Sequence, residues 1–389
     1  MRKTINKLFL IITVISALLL TTGCDLFIKT NKGQVDQKWY MGLTYEDDNG
    51  NDTDYTIGTD GTIAAVALED GYGDEFGIIK GEEAYLNINT IIKNIDKRFY
   101  VDATNNLVMF TDATKTYKTK IGGKTINETE NTDYVISFMD GKNCYVNVKF
   151  VKKYVDFDYK VVKAEGKSPA RIVLKYTSGE KNQMTVKSNI EMRTKADYQN
   201  LIVTTLKKNT KVTVLEESGD WTKVGTDDGF MGYVPAKKLK DKETKKTEFK
   251  SDADTYTHVL MNKKISLGWN AITNLTANGN LETIIEHTKG LNVISPTWYS
   301  LSDNKGNLRS YASATYVEKA HSKGLKVWAL VNDFGTQDKA SKEYTKKVLT
   351  DTTKRENLVD NIMTNIILMA LTLILSLLIR ILLTVICSF

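Results

Sequence analysis

Hydrophobic positions along the 389 residues change period several times, and each change marks a different kind of element. Residues 85–96, Tyr-Leu-Asn-Ile-Asn-Thr-Ile-Ile-Lys-Asn-Ile-Asp, alternate like a strand and then shift to a short helical spacing. Residues 145–156, Tyr-Val-Asn-Val-Lys-Phe-Val-Lys-Lys-Tyr-Val-Asp, repeat the Tyr, Asn, Lys, Asp and the apolar pattern. Short β-rich runs follow at 203–206, 211–215, 221–224 and 232–234, with turn residues at 207–210, 218–220 and 226–229. Three nearly charge-free runs come next: Lys264-Ile-Ser-Leu-Gly-Trp-Asn270, Leu291-Asn-Val-Ile-Ser-Pro-Thr-Trp-Tyr-Ser-Leu301 and Leu325-Lys-Val-Trp-Ala-Leu-Val-Asn-Asp-Phe334. Between the second and third, Ala314, Val317 and Ala320 recur at helical spacing before Gly324. Runs of this kind suit parallel strands buried on both faces and joined by helical crossovers, so they predict the opening of a (β/α) barrel.

A chain of this length exceeds what one core usually supports, and two or three domains are expected. Residues 24–77 read as a polar extension in which Asp47-Asp-Asn-Gly-Asn-Asp-Thr-Asp54 lacks the sixth-position Gly and twelfth-position Glu of a calcium loop. Residues 241–255, the end of a Lys, Glu, Asp and Thr run, read as a charged linker. The expected fold is therefore multidomain: small β-rich modules, namely an α+β repeat module at 78–165 and a β-barrel unit at 187–240, followed by an incomplete (β/α)8 TIM barrel at 256–367.

In such a barrel the chemistry sits where strands end, so Trp269 and Asn270, Trp298 and Tyr299, and Asn332 and Asp333 would share one rim. Aromatic rings beside amides and a carboxylate suit a sugar, which offers apolar ring faces and hydroxyls. Barrel core is the competing reading for Trp298 and Tyr299, and the preferred one for mid-strand Trp328. Leu267-Gly-Trp-Asn270, Val293-Ile-Ser-Pro-Thr-Trp-Tyr-Ser-Leu301, Tyr316-Val-Glu-Lys-Ala-His321 and Val327-Trp-Ala-Leu-Val-Asn332 resemble the first three strands of family 18 glycoside hydrolases, in the chitinase-like and spore-cortex-lytic branch. That resemblance implies a chitin or peptidoglycan glycan as substrate, and a catalytic Asp-Gly-x-x-x-Asp-x-Glu strand as the fourth.

No such motif follows. Thr353 and Glu356 read as a capping box, and Leu358, Val359, Ile362, Met363 and Ile366 form one apolar helical stripe. The chain then becomes Leu368-Met-Ala-Leu-Thr-Leu-Ile-Leu-Ser-Leu-Leu-Ile-Arg380. Codons compatible with this string, read one base out of phase, spell Asp-Gly-Ile-Asn-Ile-Asp-Phe-Glu, so 368–389 is expected to be a frame-shifted reading of that strand. The competing reading is a membrane helix, since the 24 residues from Ile366 to Phe389 are long enough to span a bilayer, with Arg380 the one charge inside. Either way no catalytic residue is assigned, and no hydrolase activity is expected from this polypeptide.

The 78–165 repeat, with Phe99-Tyr-Val-Asp-Ala-Thr-Asn-Asn-Leu-Val-Met-Phe110 between its copies, is similar to the copper amine oxidase N-terminal-like module of bacterial surface proteins, although it holds no His to bind copper. Residues 187–240 resemble a bacterial SH3-like domain through Met192-Arg-Thr194, the Trp221 strand and Gly232-Tyr-Val-Pro-Ala-Lys-Lys-Leu239. The resemblance implies peptidoglycan binding, with Trp221 and Tyr233 as groove candidates and core packing as the other reading of Trp221. At the start, Arg2, Lys3 and Lys7 precede an apolar run and Thr21-Thr-Gly-Cys24, a signal peptide at 1–23 resembling the bacterial lipoprotein box. Lipidation of Cys24 would hold the protein on the extracellular face of the cell membrane.

The three cysteines at 24, 144 and 387 give no disulfide framework, and the three histidines are scattered, so no metal and no cofactor is expected. The formal charge of +6 is spread without an Arg-rich tract, which favours a wall or membrane surface over nucleic acid.

Overall fold

The computed structural model describes residues 30–112, 115–250, 261–332 and 339–386, with side chains from 342 to 369 in the last segment. Residues 1–23, Cys24, Asp333 and Cys387 lie outside the described residues. The chain forms two units, one on Met1–Val101 with Val108–Asp254, the other on Asp102–Leu107 with Thr255–Phe389.

The first unit is built mainly on two seven-stranded sheets, with smaller two- and three-stranded sheets beside them. One runs in the order Ser137–Asp140, Asn143–Asn147, Glu83–Asn87, Gly77–Lys80, Thr62–Ala67, Ala170–Lys175, Asp158–Val162. The sequence repeat is its centre. Glu83–Asn87 and Asn143–Asn147 pair antiparallel, Val146 opposite Leu86, so the two copies are related by an approximate two-fold axis. Each copy then turns into a helix, Ile88–Thr90 continuing through Ile91–Ile95 in the first and α1 (Val148–Tyr154) in the second. The shared Asn explains the turn: Asn87 Oδ1 accepts from Asn89 N at 2.9 Å and Asn147 Oδ1 from Lys149 N at 2.9 Å, supplying a cap where the strand ends. Phe99, Phe110, Phe150 and Phe157 fill the core on the helical side.

The other sheet runs Ile202–Leu206, Ile190–Arg193, Met231–Pro235, Trp221–Gly225, Lys211–Ser218, Gly179–Val186, Leu239–Thr247. Val186, Met192, Val203, Val212, Val224 and Val234 on its inner face share one hydrophobic cluster with Ile78, Tyr85 and Tyr145 of the first sheet and with Val35, Met41 and Leu43. The repeat region and the 187–240 region therefore close on a common core.

Two expected boundaries differ. The polar extension at 24–77 includes Thr62–Ala67, a central strand whose Ala64 to Ala67 are buried. The linker at 241–255 begins inside the strand Leu239–Thr247, which pairs with Gly179–Val186 along its length. Its side chains are charged because they face solvent, so the hydrophobic pattern carries no trace of it.

In the second unit Leu267–Asn270, Val293–Pro296 and Lys326–Val327 form a parallel three-stranded sheet. The connections carry α2 (Leu281–Glu286) and α3 (Ala314–Ser322). A second small sheet joins Leu308–Ser310, Tyr299–Leu301 and Val331–Asn332. The third apolar run is thus not one strand: it breaks at Trp328, which is 43% exposed rather than buried in a core.

α4 (Lys339–Leu349) and α5 (Thr352–Ile386) follow. Asp351, not Thr353, caps α5, its Oδ1 accepting from Lys354 N at 3.2 Å. The stripe expected on α5 splits. Val359, Met363 and Ile366 are about half exposed, while Asn357 and Asn361 turn to the 303–307 loop, donating to Lys305 O at 2.8 Å and Gly306 O at 3.2 Å. Among the described residues no helix is long and apolar enough to cross a membrane. The side chains of the apolar run beyond Met369 lie outside them.

Candidate functional site

On the 221–225 strand, Thr222 and Val224 point into the core, so Trp221 and Lys223 face outward by strand alternation. Trp221 is half-buried and meets Tyr198 edge-to-face, ring centroids 4.9 Å apart at 63°. The loop carrying Tyr198 is fixed from below by Arg193. This buried guanidinium donates from Nη1 to Asn31 O at 2.9 Å and Asn200 O at 2.6 Å, and from Nη2 to Glu191. Its guanidinium carbon lies 5.8 Å from the Tyr198 ring centre. The pair is therefore a partly exposed, amphipathic aromatic surface, suited to packing on a sugar or on the methyl groups of a short peptide.

Tyr233 stands directly opposite Lys223 on the neighbouring strand. Its surroundings differ from those of Trp221. Lys223 Nζ donates to Asp70 O at 3.0 Å, Tyr40 donates to Met231 O at 3.1 Å and Tyr72 donates to Gly229 O at 3.0 Å. Burial, and secondarily Tyr233, push the Tyr40 hydroxyl up to about 12, so it stays a donor at any physiological pH. This end of the strand pair is used to join the two sheets, and Trp221 with Tyr198 remains as the open end. Tyr198 had no signal in the sequence beyond being one tyrosine in a polar turn.

The rim residues of the second unit are not equivalent. Trp269 is 76% exposed, whereas Trp298 and Tyr299 are each 2% exposed. Trp298 Nε1 donates to Asn278 Oδ1 at 2.8 Å and its ring packs on Tyr316 with centroids 5.2 Å apart. Asn270 is buried too, donating from Nδ2 to the Tyr316 hydroxyl at 2.9 Å. Burial raises the hydroxyl pKa of both Tyr299 and Tyr316. These contacts make Asn270, Trp298 and Tyr299 part of the hydrophobic interior, which leaves Trp269 and the half-buried Asn332 at the surface; Asp333 is outside the described residues. Among the described residues no group of three His, Cys, Asp or Glu side chains is placed to hold a metal ion.

Residues 188–240 match the bacterial SH3 domain family. No curated protein and no solved structure matches the chain.

Proposed function

We propose that the protein is a non-catalytic binder of the bacterial cell wall, acting through the SH3-like sheet of its first unit. The family match at 188–240 carries this reading, and the Tyr198–Trp221 surface supplies the contact it needs. The supporting feature is chemical: an aromatic pair of one strand residue, Trp221, and one loop residue, Tyr198, backed by a guanidinium that holds the loop.

The finer reading is a lipid-anchored envelope protein, held at Cys24, whose second unit is the opening of a family 18 glycoside hydrolase barrel directed at chitin or peptidoglycan glycan. The parallel order of Leu267–Asn270, Val293–Pro296 and Lys326–Val327 with helices between them supports it. Loss of a general acid removes about 10²–10⁴-fold in rate by itself, so chitin oligomers and peptidoglycan glycan are expected to pass unhydrolysed. Measured turnover would refute that part.

The binding part is tested by sedimenting the chain with purified peptidoglycan. The parent is retained, and Trp221→Ala loses most of that retention while keeping its thermal midpoint. Parent protein that stays in the supernatant would overturn the proposal.

A further inference from the structure

The parallel sheet of the second unit has two unlike faces. On one, Ile294 and Val327 share a hydrophobic cluster with Leu281 of α2 and with Val317 and Ala320 of α3. Gly268 belongs to that face, since a Cβ there would lie 3.9 Å from Ile294 Cδ1. Side chains alternate along a strand, so Trp269, Ser295 and Trp328 stand on the other face. They also stand in one row. Trp269 is directly opposite Ser295. The pairing of Val293 with Lys326 and of Ile294 with Val327 carries on to Trp328, whose N donates to Ile294 O at 3.0 Å. Pro296 has no N–H with which to extend that ladder, so Trp328 keeps the register of the strand without belonging to it.

The row is therefore two indoles with a serine between them. Trp269 is 76% and Trp328 43% exposed, whereas Ser295 is only 4% exposed. The Ser295 hydroxyl has no hydrogen-bond partner among the described residues, and a hydroxyl buried that way is destabilising until something bonds it. Two strand spacings set the tryptophan backbones about 9.6 Å apart. One ring packed on both indoles at carbon contact distance needs roughly 7–8 Å between them, so the row has room for a single ring above Ser295. The neighbouring row on the same face is Leu267, Val293 and Lys326. These six residues hold one cation and no carboxylate, which disfavours a cationic ligand between the indoles.

We propose that Trp269, Ser295 and Trp328 form a binding site for one pyranose ring of a neutral glycan, its C–H faces on the indoles and one of its polar groups on the Ser295 hydroxyl. A pyranose offers what the row asks for, two apolar faces and a belt of hydrogen-bonding groups. The choice of a glycan rests on the wall-directed reading above; the pairing of two tryptophans across an unbonded serine rests on the sheet alone.

The full chain is titrated by calorimetry with a soluble tetramer of N-acetylglucosamine and, separately, with adenosine as a planar aromatic probe. The tetramer is expected to bind, and Trp269→Ala and Trp328→Ala each to weaken it at least fivefold, with Trp269→Phe recovering most of the loss. Ser295→Ala is expected to weaken it at least threefold at an unchanged thermal midpoint. A parent chain that does not bind the tetramer, or unchanged affinity in Trp269→Ala or Ser295→Ala, would overturn the site. Adenosine binding as tightly as the tetramer would overturn the sugar assignment. Retention on whole peptidoglycan is read on Trp221→Ala, so a chain that sediments but does not bind the tetramer refutes this site alone. A chain that binds the tetramer but does not sediment refutes the wall-binding reading and leaves the site standing.

Discussion

Cys144 reports on the core between the first sheet and its helices, and replacing Phe150 tests how that core is held. Cys144 is 3% exposed and Phe150 fully buried, and both belong to the cluster on the helical side of the first sheet. The Phe150 ring meets Tyr154 edge-to-face at 5.3 Å and Phe99 at 6.3 Å. Phe150→Ala removes these contacts and leaves a cavity between sheet and helix, at a cost of about 3–5 kcal/mol. If Cys144 reacts only after the unit opens, that cost raises its alkylation rate by about 10²-fold to roughly 4 × 10³-fold, since ~1.4 kcal/mol is a factor of ten in an equilibrium. The assay is iodoacetamide labelling of a chain in which Cys24 and Cys387 are serine, followed by mass spectrometry. Phe150→Leu, which keeps most of the volume, is expected to shift the rate less than tenfold, from a cost under ~1.5 kcal/mol. A Phe150→Ala chain that labels at the parent rate would show that Cys144 is reached without opening the core, and the packing account would fall.

The same thiol sets a pH dependence: burial pushes it up to about 12, above the unfolded value near ~8.5. The neutral thiol is the form the fold favours, so its contribution is constant below ~pH 8.5 and declines as pH rises from there toward 12, which a Cys144→Ala chain would not show. Arg193→Met leaves the carbonyls of Asn31 and Asn200 without their donor, at a cost of about 2–4 kcal/mol read as a lowered urea midpoint; an unchanged midpoint would mean that the loop pairs otherwise. At Gly77 a Cβ would stand 2.6 Å from Ile172 Cδ1 and 3.0 Å from Tyr85 O, so Gly77→Ala is expected to destabilise by about 1–3 kcal/mol in the same assay. Asp351→Ala removes the cap of α5 and should cost about 1 kcal/mol and some helical circular dichroism, with Asp351→Asn recovering most of it.

What was legible in the sequence was whatever the hydrophobic period carries. The repeated Tyr-x-Asn followed by helical spacing announced two strand–helix units, because an Asn that ends a strand and caps a helix is a local device. Their pairing with each other was not legible, since the antiparallel register of Val146 on Leu86, so far apart in the chain, leaves no local mark. The strand Leu239–Thr247 was invisible for the opposite reason. Its order comes from backbone pairing and from cross-strand charges such as Lys211–Glu243 at 2.6 Å and Lys242–Glu217 at 2.7 Å, which in sequence look like solvated residues. Among the residues expected at strand ends, Trp269 lies in the strand Leu267–Asn270, while Trp298 lies between Val293–Pro296 and Tyr299–Leu301. Both tryptophans sit in apolar runs, and the partners Asn278 and Tyr316, reached through tertiary folding, hold the second indole inward. α5 shows the same limit. Its apolar stripe and its asparagine face were equally regular, and the acceptors offered by Lys305 and Gly306 decide which one turns inward.

The interior joining Val35, Met41 and Leu43 to both seven-stranded sheets has a practical corollary for anyone handling fragments. A piece cut at 188 and 240 would carry away Val212, Val224 and Val234 without Ile78, Tyr85 and Tyr145, and without the flanking strand Gly179–Val186. Such a peptide would expose greasy surface and an unpaired edge, inviting self-association. The stretch that matches a family is shorter here than the unit whose core it shares, and expression boundaries belong at the latter.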